Sequence, residues 1–247
     1  MGAGTAKRGR QPEGRSGKEV VEEAEKRIFK IAEDGARGKS GFKVLNEFCG
    51  DLMDELDKRH RQGEDITGLP TGYKKFDAIT QGLHEGDLVI LAGRPSMGKT
   101  TLAWNIAEYV AFNPKDPKPV AVFSMEMGAE QLAARILSEA SEVPSERIRR
   151  GDMSEGEFRR FVEAAKSLET CPLYVDDTPA LPIGQVAARC RRLKRTSGLD
   201  VVIVDYLQLL RGTGRGDNRV QEIGEISMGL KAIAKELHIP VIALSQL

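Results

Sequence analysis

From residue 87 onward, short apolar runs alternate with amphipathic stretches. Five runs, at 87–92, 120–124, 173–176, 200–205 and 240–245, read as strands, and most are continuous rather than alternating. Strands covered on both faces have that character. Between them, apolar residues recur at helical spacing over 99–112, 129–141, 154–168, 182–196 and 219–237, which predicts helices. Regular alternation of strand and helix predicts an α/β fold, an open and mostly parallel sheet with helices on both sides. No internal repeat is visible.

The earlier part of the chain has a different texture. Residues 1–18 are rich in Gly, Arg and Lys and lack periodicity, which predicts a disordered basic tail. Over 19–34, Val20, Ala24, Ile28, Phe29, Ile31 and Ala32 form a helical apolar stripe that stops at Gly35. The glycine-rich stretch 35–41 reads as a flexible linker. A second helix is expected from Phe42 to Gln62, with Val44, Leu45, Phe48, Leu52 and Leu56 facing inward. A turn-rich segment, Thr67 to Tyr73, then leads into a short helix through Ile79. On this reading the main domain spans 42–247, the tail, helix and linker preceding it.

Composition narrows the picture only slightly. Hydrophobic residues are 40% and charged residues 30% of the 247, ordinary for a globular protein. Lys+Arg and Asp+Glu are both 37, so a nucleic-acid site would have to be local. Cys49, Cys171 and Cys190 lie far apart without zinc-like spacing, which predicts inert thiols and a reducing cytoplasm. Neither a signal peptide nor a membrane-spanning apolar run is present, so no membrane partner is expected.

The chemistry is concentrated at strand ends. Gly93-Arg94-Pro95-Ser96-Met97-Gly98-Lys99-Thr100 fits the phosphate-loop pattern G-x-x-x-x-G-K-[ST] at each fixed position. A predicted strand precedes it, and a helix beginning Thr101-Leu102-Ala103 follows. Backbone N–H groups of such a loop point at phosphate oxygens, and the helix dipole favours their charge. Lys99 is expected at the β- and γ-phosphates, and the Thr100 hydroxyl on Mg²⁺. The apolar strand Asp200–Val204 ends in Asp205, the position of a Mg²⁺-holding carboxylate. Another ends at Ser124 and leads to Glu126, which would orient or deprotonate the attacking water if its strand neighbours the loop strand. A helix N-terminal charge is the plainer role for that glutamate. A third strand ends in Gln246, whose amide could bond a γ-phosphate or the attacking water.

Together these segments resemble the ATPase domain of bacterial replicative DNA helicases, the DnaB family, whose core is RecA-like. Gly93–Thr101 resembles its phosphate loop, and Phe123-Ser124-Met125-Glu126-Met127 its catalytic-glutamate motif. Val204-Asp205-Tyr206-Leu207-Gln208-Leu209 resembles its Mg²⁺ strand, and Ala243-Leu244-Ser245-Gln246-Leu247 its sensor strand. Residues 24–33 look like the family's linker helix, which docks on an adjacent subunit.

The resemblance implies a RecA-like phosphate-loop NTPase using ATP and Mg²⁺, with catalytic roles for Lys99, Glu126 and Gln246. Thr101 joins the nucleotide-binding set. It also implies a homohexameric ring translocating 5′ to 3′ on single-stranded DNA, with primase and a helicase loader as partners. The family's N-terminal helical domain, which contacts primase, has no counterpart in residues 1–18. The sequence stops after the sensor glutamine, before the family's arginine finger, so the isolated chain is expected to bind ATP but hydrolyse it poorly.

Arg211, Arg215 and Arg219 flank a glycine-rich loop placed to follow a DNA backbone. A solvated surface loop explains them equally well, since no aromatic residue is available for stacking. The helical cluster Arg189, Arg191, Arg192, Lys194 and Arg195 reads as a solvated or subunit-facing surface. Two other readings remain open: a different RecA-like DNA-dependent ATPase, or a nucleotide-binding, oligomerising fragment without helicase activity. The sequence carries no N-K-x-D guanine motif.

Overall fold

A computed structural model describes residues 66–212 and 219–247, together with residues 44–46, 49, 50, 52, 53 and 57. The chain divides into two compact units, Met1–Gly63 and Glu64–Leu247. The tail, the first predicted helix and the linker lie outside the described residues.

In the smaller unit, residues 46, 49, 50, 52, 53 and 57 are helical, as their spacing predicts. The inward-facing assignment fails where it can be checked: Val44, Leu45 and Leu52 are 64%, 80% and 55% exposed. A helical stripe identifies the side that would be buried. It does not supply a surface to bury it. The same boundary assigns residues 42–63 to this unit, whereas the sequence pattern grouped them with the main domain.

The larger unit opens with α1 (Lys74–Thr80), β1 (Leu88–Gly93), α2 (Lys99–Ala111) and β2 (Val120–Ser124). It continues with α3 (Ala129–Ser141), α4 (Ser145–Arg150), α5 (Glu155–Glu169), β3 (Leu173–Asp176) and α6 (Ile183–Thr196). β4 (Val201–Asp205), a 3₁₀ turn at Leu207–Leu209, α7 (Arg219–Leu237) and β5 (Val241–Gln246) complete it. The five strands form one sheet in the order β1-β5-β4-β2-β3, and every neighbouring pair is parallel.

Side-chain alternation along the central strands builds two cores. Val202 and Val204 of β4 join Val186 and Cys190 of α6 and Ile226, Leu230 and Ile233 of α7. Val201 and Ile203, of opposite parity, join Trp104 and Val110 of α2 and Leu132 and Ile136 of α3 on the other face. β2 and β4 are buried throughout, which explains their unbroken apolar runs: both faces of a central parallel strand meet helices.

Local signals set several element ends. Ser154 and Glu157 form a reciprocal capping box at the start of α5. Gly151, at φ 68°, closes α4, a helix the periodicity did not resolve because its six residues span under two turns. Ahead of α1, the buried Asp77 carboxylate accepts bonds from the Thr71 N–H at 3.0 and 3.1 Å and from its hydroxyl at 2.7 Å. That knot fixes the turn leading toward β1.

Candidate functional site

Because all five strands run the same way, their C-terminal ends share one edge of the sheet. From β1 the chain crosses to β2, three places along, with β5 and β4 lying between. The connection is the loop 94–98 followed by α2, so the start of α2 arches over the ends of β5 and β4. Parallel register aligns Gly93 with Gln246 and Ser124 with Asp205. Ligand crevices of open α/β sheets form at such an edge.

The loop is bent by two residues at positive φ, Ser96 at 62° and Gly98 at 82°. Gly98 is the N-cap of α2, and a Cβ there would meet open space, so its glycine serves the backbone conformation and leaves room for a group to approach. Lys99 folds back across the loop, its Nζ donating to Gly93 O at 2.6 Å and Arg94 O at 2.8 Å. The ammonium thus sits at the mouth of the loop, beside the unpaired N–H groups that begin α2. Arg94, Pro95, Ser96 and Met97 form its exposed rim, and Thr101 is exposed on the first turn.

Asp205 is 2% exposed at the end of β4. Oδ2 of Asp205 has no hydrogen-bond partner. Burial raises the Asp205 pKa above the ordinary carboxylate value, and Glu126 adds to the rise; the Thr100 hydroxyl, acting as a donor, and Lys99 work against it. A buried carboxylate with one unused oxygen costs stability unless a cation or donor meets it. Thr100 and Asp205 therefore fit the protein side of a Mg²⁺ site, in which one or two protein oxygens act with substrate phosphates and water. Among the described residues no cluster of three His, Cys, Asp or Glu competes for a metal.

Glu126 follows β2 in an exposed turn tied by Ser124 Oγ donating to Met127 O at 2.8 Å. The sequence pattern puts it at the phosphates on condition that β2 neighbours the loop strand. That condition fails, since β2 lies between β4 and β3. Glu126 instead reaches the site through β4, close enough for its charge to act on Asp205; the backbone link is Met125 N–H to Asp205 O at 3.0 Å.

Gln246 ends β5 with its side chain exposed beside the loop, and the next N–H, of Leu247, bonds Gly93 O at 3.2 Å. The structure adds Gln208, to which sequence reasoning gave no role. Its Nε2 donates to Ser245 Oγ at 3.0 Å and to Gln246 O at 2.9 Å. The only signal was its place three residues after Asp205.

Of the three arginines expected at DNA, Arg215 lies outside the described residues. Arg211 is exposed, with its backbone bridged to Leu181 and Ile183 at the start of α6. Arg219 is engaged within the chain: its guanidinium bonds Glu222 and the Gln208 carbonyl. The Gly212 N–H and Arg219 together hold the Glu222 carboxyl below its usual range. Within the α6 cluster, Arg189 pairs with Asp176, Arg191 with Glu236, and Lys194 donates to Leu199 O. Two of these charges, on Arg189 and Arg191, are thus paired with carboxylates of the same chain. Cys49, Cys171 and Cys190 are free thiols, and burial pushes the Cys190 thiol up to about 12, which makes it inert. Among the described residues no helix is long and apolar enough to cross a membrane.

Comparison with known proteins gives one consistent result. The family model described as the DnaB-like helicase C terminal domain matches residues 68–247. The replicative DNA helicase DnaC of Bacillus subtilis (strain 168) is 44% identical over 230 residues, covering 93% of this chain and 50% of that protein. The replicative DNA helicase DnaB of Geobacillus stearothermophilus is 41% identical over 230 residues, covering 92% and 50%. A solved ATPase domain superposes with a TM-score of 0.76 at 29% identity, covering 84% of this chain and 72% of that one. A DnaB-like replicative helicase, solved in work on its interactions with primase, gives 0.71 at 29% identity, covering 89% and 52%. The chain spans about half the length of the curated relatives it matches.

Proposed function

Since the chain belongs to the DnaB-like helicase C-terminal domain family, we propose that it is the ATP-hydrolysing motor of a replicative DNA helicase. The observation that carries this reading is the buried Asp205 carboxylate at the end of β4, with Oδ2 lacking a partner, beside the phosphate loop whose Thr100 and Lys99 act on it. The substrate is ATP, cradled by residues 93–101. Lys99, now bonded to two loop carbonyls, supplies the mobile positive charge that meets the β- and γ-phosphates. Thr100 and Asp205 hold Mg²⁺, which neutralises phosphate charge when bound. Glu126 orients and deprotonates the attacking water, and Gln246 meets the γ-phosphate from the adjacent strand end.

The work done with ATP is translocation along single-stranded DNA, 5′ to 3′, by a homohexameric ring in the cytoplasm, with primase and a helicase loader as partners. Family membership and the relatives' names support helicase work in DNA replication, and the primase named with one solved relative supports that partner. Arg211, Arg215 and Arg219 are the DNA-facing set on this reading, with Arg219 shared between DNA and its internal partners.

Two variants test the site. Lys99→Ala should weaken Mg²⁺-dependent binding of a fluorescent ATP analogue by about 10- to 100-fold, the value of one or two charge-assisted hydrogen bonds. Unchanged binding would remove the loop from the reading. In a full-length ring, Glu126→Gln should bind ATP normally while losing turnover that single-stranded DNA stimulates in the unaltered ring. Normal turnover would assign the water to another group, and turnover indifferent to DNA would sink the motor reading.

A further inference from the structure

The main-chain ladder between β4 and β5 stops early. Its register runs Val202–Val241, Ile203–Ile242 and Val204–Ala243, and goes no further. On the other side of β5, pairing with β1 continues to Gly93–Gln246. The end of β5, which carries Gln246, would thus be held from one side only.

The Gln208 side chain fills the missing place. Its Nε2 donates to Gln246 O at 2.9 Å, and its Oε1 accepts from Gln246 N–H at 3.4 Å. The same Nε2 reaches Ser245 Oγ at 3.0 Å. One primary amide therefore bonds both backbone groups of Gln246, taking the place of the two successive peptide groups that an adjacent strand would offer. The amide supplies both the donor and the acceptor that this requires. Gln208 is itself fixed in the 3₁₀ turn at Leu207–Leu209, anchored by buried Leu207 and Leu210. Its own carbonyl accepts from the Arg219 guanidinium at the first residue of α7. A continuous chain of hydrogen bonds thus runs from Gln246, through Gln208, to the start of α7.

We propose that Gln208 is a positioning residue that holds Gln246 at the phosphate loop and transmits its position to α7. The inference rests on the reading of Gln246 as the group that meets the γ-phosphate. A shift of the β5 end on meeting a γ-phosphate pulls on the Gln208 amide, and the rigid turn passes that displacement to the Arg219 contact. Mere structural support by Gln208 predicts lost stability without altered nucleotide response.

Hydrogen exchange followed by mass spectrometry separates these roles. The 247-residue chain is compared with saturating Mg²⁺·ATPγS and Mg²⁺·ADP, as are its Gln208→Met and Gln208→Asn variants. In the unaltered chain, exchange should differ between the two nucleotides both at 244–247 and at 220–227, by about five- to tenfold at the helix start, the effect of one or two hydrogen bonds. In each variant the difference at 220–227 should vanish, and the preference for ATPγS over ADP should fall several-fold, with the thermal midpoint nearly unchanged. No nucleotide-dependent difference at 244–247 in the unaltered chain would overturn the reading of Gln246 and this inference with it. A response at 244–247 that persists at 220–227 in the variants, or never reaches 220–227, would overturn the inference and leave the reading intact. Loss of folding in both variants would make Gln208 a structural residue and also overturn it.

Discussion

Replacing Asp205 with Asn should make the free protein more stable and the nucleotide-bound protein less so. Asp205 is 2% exposed and Oδ2 has no partner, so the native state carries a buried charge satisfied mainly by Thr100 and Lys99. Leaving such a group short of a partner costs about 1–3 kcal/mol. Asparagine keeps an oxygen for Thr100 and removes the charge, so a gain of about 1–2 kcal/mol is expected. For a domain of this size, each kcal/mol moves the thermal midpoint by about 2–4 °C, which gives a rise of about 2–8 °C without ligand. Saturating Mg²⁺·ATPγS, at a hundredfold over Kd, adds about 2.7 kcal/mol to the unaltered chain. The variant, lacking the carboxylate that fits Mg²⁺, should gain little. The two melting curves must therefore exchange order when nucleotide is added, in scanning fluorimetry with EDTA and with Mg²⁺·ATPγS. A variant that is less stable without ligand would show that Asp205 holds the fold together. Equal stabilisation of both proteins by Mg²⁺·ATPγS would show that the carboxylate does not serve the nucleotide site.

Two further expectations concern packing away from the site. Burial, assisted by Glu139 and opposed by Arg135, raises Glu108 in α2 to about 7 from 4.5; the folded state then holds this proton more tightly than the unfolded chain, so the contribution is complete below pH 4.5 and is lost as pH rises toward 7. The thermal midpoint should fall across that window and Glu108→Gln should flatten the decline, whereas an identical pH profile in the variant would refute the assignment. In α7, a Cβ on Gly229 would lie 2.4 Å from Ile183 Cγ1; Gly229→Ala should therefore lower stability by about 1–2 kcal/mol, overpacking outweighing better helix propensity. Adding Ile183→Ala should make the second change less costly than it is alone, and strict additivity in chemical denaturation would argue against the clash.

Strands and helices were legible because burial on both faces of a parallel sheet writes itself into the sequence. The runs expected at 120–124 and 173–176 coincide with β2 and β3, and the helix expected at 219–237 with α7. The phosphate loop and Asp205 were legible because their spacing and flanking pattern are local. Strand order was not, since nothing local reveals that β5 and β4 insert between β1 and β2; the route of Glu126 to the site through β4 followed only from the sheet. The Gln208 clamp was hidden for a related reason. It joins residues 38 apart in sequence, and one polar residue after a strand carries no mark of its partner. The exposed stripe at Val44, Leu45 and Leu52 is the converse case: a clear local pattern whose burial depends on a surface that the pattern does not specify.

Two carboxylates are buried among the described residues of the larger unit, and they show how a structural acid differs from a functional one. Asp77 is 3% exposed, and Thr71 meets both its oxygens with its N–H and one with its hydroxyl. Those donors come from a residue six positions away, so the turn and its charge are made by one local segment and need nothing else. Asp205 is equally buried but has one oxygen without a partner. The residues that act on it come from two other segments, Lys99 and Thr100 at the start of α2 and Glu126 after β2. A fold under pressure for stability alone would satisfy the second carboxylate as it does the first, or replace it with an apolar residue, since unpaired buried charge is disfavoured. That the incomplete carboxylate sits under the phosphate loop, where Mg²⁺ would complete it, marks the strain as part of the site. Binding of the metal and triphosphate then relieves a cost already present in the free protein, and this is why ligand binding and stability should be so strongly coupled at this one residue.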